Sequence, residues 1–149
     1  MTTDLEVTTR QNLAALWLPW CVERRRPDRP IRIEREPERR KDARQLRVAD
    51  LSDEAVRAAL SDYPRDDGRD VLSAIRDMAA DFASVPVGIV IDEAQAFLMD
   101  EGPMIFEGSH RTCAVWESGV KDFEIRATVH PLSPPWEMYD CAALRQETA

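Results

Sequence analysis

The chain has 149 residues and a mass of 17.0 kDa, enough for one domain that buries about two-thirds of its unfolded surface and too few for two independent cores. Hydrophobic residues make up 44% and charged residues 32%, with a formal net charge of -8, which argues against global disorder and against extensive non-specific DNA binding. No apolar run approaches the roughly 18 to 20 residues that cross a bilayer, and Met1-Thr2-Thr3-Asp4-Leu5-Glu6 lacks a signal-peptide layout, so no membrane contact and a cytoplasmic location are expected.

In chain order, Thr8 or Thr9 caps a short helix in which Leu13, Leu16, Trp17 and Trp20 recur at helical spacing, with Pro19 ending or bending it. Residues 24–44 carry Pro27, Pro30 and Pro37 amid charges, with an alternating edge-strand piece at Ile31-Arg32-Ile33; this is expected to be the least ordered region. Residues 23–47 hold 11 Lys+Arg against 6 Asp+Glu, which reads as a solvated, salt-bridge-laced connection or as a contact for a protein or nucleic-acid partner. Leu46 and Val48 alternate as in a strand, and Ser52 caps a helix with Asp53 and Glu54 in its first turn.

Asp66-Asp67-Gly68 marks a turn, and Val71, Leu72, Ile75, Met78, Ala79 and Phe82 follow the i, i+3, i+4 rule of an amphipathic helix. Val85 to Ile91 is a β-branched run suited to a buried strand, continued through Ala96 to Met99 and reversed at Asp100-Glu101-Gly102-Pro103. Met104-Ile105-Phe106 returns as a strand, Gly108 opens a tight loop, and a helix from about Ser109 to Ser118 closes at Gly119. Phe123, Ile125, Ala127 and Val129 alternate with Glu124, Arg126, Thr128 and His130 in the last strand, before a Pro-containing tail. His130 reads as a surface residue, Trp116 as core, and Trp136 as a lid or partner contact. The three cysteines, Cys21, Cys113 and Cys141, have neither disulfide nor metal-ligand spacing and read as small buried hydrophobes.

The strand-Gly-helix junction carries the chemistry. Free N–H groups of a helix's first turn favour an anion. Beside them Ser109 is a cap or a hydroxyl contact, Arg111 a planar fork for phosphate oxygens, and His110 a donor or proton shuttle. Glu107 is the loop's carboxylate, suited to accept a proton or help hold a magnesium ion.

The stretch from Pro103 to Gly119, with Glu107-Gly108-Ser109-His110-Arg111-Thr112 at its centre, resembles the signature of the ParB/sulfiredoxin superfamily. Residues 46–60, 85–91 and 120–129 are similar to the strands and helix that surround that signature. The resemblance implies an α+β fold, a small mixed sheet with packed helices, over residues 45–130. Residues 1–44 then form an N-terminal helix and connection, and residues 131–149 a tail, within one structural unit. It implies a nucleotide-binding protein, a phosphotransferase or nucleotide hydrolase that places the phosphates of ATP, ADP or CTP, with Mg2+, on Gly108, Ser109, His110, Arg111 and Thr112. Glu107 and His110 would be catalytic. Ser109 stands where sulfiredoxin repair needs a cysteine, and His110 where segregation CTPases usually carry arginine, so neither of those activities is expected. The second acid of a kinase-like site would be Glu36 or Asp50. The alternatives are a non-catalytic module sensing a nucleotide or phosphometabolite, and a ParB-like nuclease.

Overall fold

The computed structural model describes residues 3–85, 88–99 and 101–131. The chain begins with an edge strand, β1 (Thr3–Val7), and a single helical turn, α1 (Arg10–Ala14), whose amide at Asn12 donates to the Thr9 hydroxyl. It then runs through β2 (Trp17–Glu23), β3 (Pro30–Ile31) and β4 (Ala43–Arg47). Two helices follow, α2 (Glu54–Ser61) and α3 (Val71–Ala83), then β5 (Ile89–Met99), β6 (Gly102–Glu107), α4 (Ser109–Ser118) and β7 (Phe123–His130).

The strands join one mixed sheet in the order β1-β7-β5-β6-β2-β3, with β4 on the other side of β2. The pairs β5/β7 and β2/β6 are parallel and the others antiparallel. This is an α+β arrangement, with the helices packed over one face. Leu18, Val22, Ile91, Ile105 and Ile125 from the sheet meet Leu60, Ile75 and Val115 from the helices in the main core. The other face carries a small cluster of Trp17, Phe97, Met99 and Met104, against which Phe106 packs. No helix among the described residues is long and apolar enough to cross a membrane.

Several expectations need correction. Trp17 and Trp20 lie on β2, not on a helix: α1 stops at Ala14, and the run from Leu16 to Val22 is apolar on both sides because β2 is buried inside the sheet. Continuous apolarity erases the alternation that would mark a strand. Pro19 is accommodated at the irregularity between the Trp17 and Cys21 pairings with β4.

The charged connection is not loose. Ile31 and Ile33 are fully buried with Cys21 and Ala43 in a third cluster, and a 3-10 turn (Pro37–Asp42) leads directly into β4. The expected boundary at residues 44 and 45 therefore falls inside a strand of the common sheet. Some of the segment's charges pair within it, Arg39 with Glu23 and Glu36, Arg26 with Asp28, and Arg32 with Glu34.

The α2 cap is Asp53, whose carboxylate accepts from the Ala55 amide, one residue later than expected; Ser52 instead accepts from the Trp116 indole. β5 starts at Ile89 and is one strand, with a register shift between Ile91 and Ala94 that absorbs Asp92 and Glu93. His130 has partners: its Nε2 lies 2.6 Å from Gln95 Oε1, and its ring sits beside Phe97 and Phe106. Cys21 and Cys113 are buried and free, with thiols pushed up by burial, as small apolar residues would be. Pro86, Val87 and Asp100 lie outside the described residues, as do Cys141, Trp136 and the rest of the tail after Pro131.

Candidate functional site

β6 delivers the chain to Gly108 at the end of the sheet, and Gly108 turns it into α4 with φ at 87°. Glycine is required twice over: this φ is left-handed, and a Cβ would stand 3.2 Å from the Ala94 Cβ on the neighbouring strand. The cap is therefore Gly108 and not Ser109, and no side chain caps the helix. Ser109 is buried, and Thr112 is fully so, its amide and hydroxyl both bonded to the Gly108 carbonyl at 2.9 and 2.8 Å. Thr112 thus serves to brace the turn from inside.

His110 and Arg111 follow one another in the first turn, where successive side chains point about 100° apart, and the structure separates them. Arg111 is exposed and borders a shallow hollow of about 580 Å³ with Asp92, Glu93, Gln95, Phe106 and Glu107. Glu107 is thus grouped with Arg111 and two further acids. His110 borders a different cleft of about 410 Å³, and the two hollows share no lining residue.

That cleft is built from three parts of the chain. β2 contributes Pro19 and Trp20, and the segment after β3 contributes Arg32 and Glu34. The loop between α2 and α3 contributes Tyr63, Pro64, Arg65, Asp66 and Asp67. The Trp20 ring stands edge-on to the His110 imidazole at 5.1 Å, and the Arg32 guanidinium lies over the Tyr63 ring at 5.6 Å. The His110 Nε2 is buried and has no hydrogen-bond partner. Burial, and then the nearby Arg65 charge, push the His110 pKa down to about 4, with Asp67 pulling weakly the other way. At neutral pH the imidazole is uncharged.

An unpartnered buried ring nitrogen is costly unless something from outside completes it. His110 lines the cleft together with the Arg32 and Arg65 guanidinium groups and the Trp20 and Tyr63 side chains, a donor set suited to phosphate oxygens. The sequence does not mark Arg32, Glu34, Tyr63 and Arg65 as site residues. Only the basic run and the turn at Asp66-Asp67-Gly68 signalled the segments that hold Arg32 and Arg65.

Neither expected second acid reaches this cleft. Glu36 accepts from the Arg32 amide and pairs with Arg39, while Asp50 accepts from the Arg47 amide and pairs with Arg44. The acids that line the cleft are Glu34, Asp66 and Asp67. Among the described residues no three His, Cys, Asp or Glu side chains gather as a metal cage. A magnesium ion would fit here only as the companion of a nucleotide's phosphates, with at most one or two of these carboxylates beside it.

Comparison of the chain with protein-family models, curated proteins and solved structures gives no match.

Proposed function

We infer that the protein binds a phosphate-bearing small molecule, with a nucleotide as the leading class, in the cleft beneath His110. The observation that carries this reading is the buried, unpartnered Nε2 of His110, a residue that lines one cleft with Arg32, Arg65, Trp20 and Tyr63. Phosphate oxygens would take the imidazole and guanidinium donors; the Trp20 and Tyr63 rings, 6.4 Å apart and tilted by 60°, pack against one another and leave no slot for a base between them. The resemblance at Gly108-Ser109-His110-Arg111 supports the same end of α4, with His110 as the ligand-facing member of the motif. Such a ligand is in keeping with a cytoplasmic protein.

A phosphotransferase or hydrolase is the second reading, favoured by one observation: Glu34 lines the cleft that His110 enters. Glu34 would then take the proton of an acceptor hydroxyl or water while the cations hold the phosphates. Glu107 and Arg111, in the other hollow, are placed for a different contact. The formal net charge of -8 weighs against a nucleic-acid interface and against a nuclease.

The test is a thermal-shift and calorimetric titration with ATP, ADP and CTP, with and without Mg2+. Binding that is lost in His110→Ala and kept in Arg111→Ala supports the cleft. Binding lost in Arg111→Ala and kept in His110→Ala would move the site to the Arg111 hollow. Phosphate release by the wild type, absent in Glu34→Gln with binding retained, decides for turnover.

A further inference from the structure

Both guanidinium groups of the His110 cleft are already engaged, each by an acid two residues farther along its own segment. Arg32 Nε lies 3.1 Å from Glu34 Oε1, and an Arg65 terminal nitrogen lies 3.1 Å from Asp67 Oδ2. All four side chains line the cleft, and the two acids are the more exposed partners, at 39% and 45% against 25% for each arginine. A local carboxylate therefore already holds one nitrogen of each guanidinium and competes with a ligand anion for its charge.

We propose that Glu34 and Asp67 are built-in competitors for the cleft's cations, so that a phosphate group binds by displacing them while a carboxylate ligand does not. The proposal rests on the cleft reading above and adds what selects the ligand. An exposed ion pair holds its partners weakly, so opening it costs little. A phosphate carries more charge and more acceptor oxygens than a carboxylate, and it also reaches the His110 imidazole, so it gains on exchange. An external carboxylate only replaces one carboxylate by another, and the resident one has the advantage of being tethered two residues away. The same pairs keep both guanidinium groups aimed at the cleft when no ligand is present, which lowers the ordering cost of binding.

Asp67 offers a clean substitution. Its Oδ1 accepts from the Arg69 amide and holds the turn, whereas Oδ2 faces Arg65; asparagine keeps the first contact and removes the charge from the second. The experiment is calorimetric titration of the full chain with inorganic pyrophosphate and, separately, with succinate. Glu34→Gln and Asp67→Asn should each tighten pyrophosphate binding about three-fold, and the double variant about ten-fold, as expected for removing one or two exposed ion pairs. The double variant should also acquire succinate binding that the wild type lacks. Asp66→Asn, in the same cleft and outside these two pairs, controls for long-range charge. Equal tightening in Asp66→Asn, or none in Glu34→Gln and Asp67→Asn, overturns the competition while leaving the cleft reading intact. If no variant binds pyrophosphate, both fall.

Discussion

The Arg57 guanidinium meets both carboxylate oxygens of Glu117, at 2.7 and 2.9 Å, and so ties α2 to the last turn of the helix that carries His110 in its first turn. Both side chains are only about a fifth exposed, at 23% and 21%, which removes much of the screening that makes surface pairs weak. The Arg57 hydrogen bond holds the Glu117 carboxyl below its ordinary pKa, more than burial raises it. A depressed carboxylate stabilises above its unfolded pKa and stops doing so as the pH falls through its folded value. Glu117→Gln should cost about 1–2 kcal/mol at pH 7, and less at an acid pH below the folded value of that carboxyl. Urea denaturation of both proteins at the two pH values measures this, and a double-mutant cycle with Arg57→Ala should return most of the loss as coupling.

Arg10 secures the same end of α4 by a different route. Its guanidinium donates to the Trp116 and Val120 carbonyls at 2.9 and 3.0 Å and stacks over the Trp116 ring at 4.5 Å. The Trp116 carbonyl lies in the last turn of α4, where it also accepts from the Gly119 amide, and Val120 follows that closing glycine. A lysine at position 10 would keep the charge but lose the flat fork and the stacking. Arg10→Lys is therefore expected to recover only a minor part of the ~1–2 kcal/mol lost in Arg10→Ala. The unfolding midpoints of the three proteins provide the check, and full rescue by lysine would show that charge alone matters.

Two glycines with nearly the same backbone should respond differently to alanine. Gly68 and Gly108 have φ of 83° and 87°, yet a Cβ on Gly68 meets nothing within 4 Å while one on Gly108 meets Ala94. Gly68→Ala should cost about 1 kcal/mol from the left-handed backbone alone. Gly108→Ala adds a contact that the strand must absorb and should cost about 2–3 kcal/mol, with a displaced α4 and weakened ligand binding. Pairing Gly108→Ala with Ala94→Gly should restore part of the stability if the contact is the cause.

The contrast between what was legible in the sequence and what was not has a physical basis. α3 is amphipathic and capped by Asp70, and α4 is bounded by Gly108 and Gly119, so the periodicity of the one and the end signals of the other agree with their packing. β2 is buried on both faces, so its residues carry no alternation, and the spacing of Leu13, Leu16, Trp17 and Trp20 mimics a helix. For the site, the motif residues were visible as a group, but their side-chain directions were not. The 100° step between His110 and Arg111 assigns them to separate hollows. Trp20, Glu34 and Arg65 meet His110 only through long-range folding, which spacing along the chain does not encode.

His110 links stability and binding to pH with opposite signs. Its folded pKa, about 4, lies below the ordinary histidine value of 6.5, so the unfolded chain binds a proton that the folded one refuses. The stabilisation from a neutral His110 is complete above pH 6.5 and is lost as the pH falls toward 4. Allowing for its partial exposure, this amounts to about 2 kcal/mol. His110→Gln should lose less stability than the wild type between pH 7.5 and pH 4.5, and that difference in urea midpoints isolates His110 from carboxylates titrating in the same range. A bound phosphate acts the other way: negative charge beside the imidazole raises its pKa, so binding takes up a proton and strengthens as the pH drops. Relative to the change that pyrophosphate's own protonation causes, measured with His110→Gln, wild-type binding should therefore be tighter at pH 5.5 than at pH 8, with the His110 ring proton moving toward its charged chemical shift on saturation. Unchanged affinity across this range, with the His110 signal unmoved, would place the anion away from Nε2.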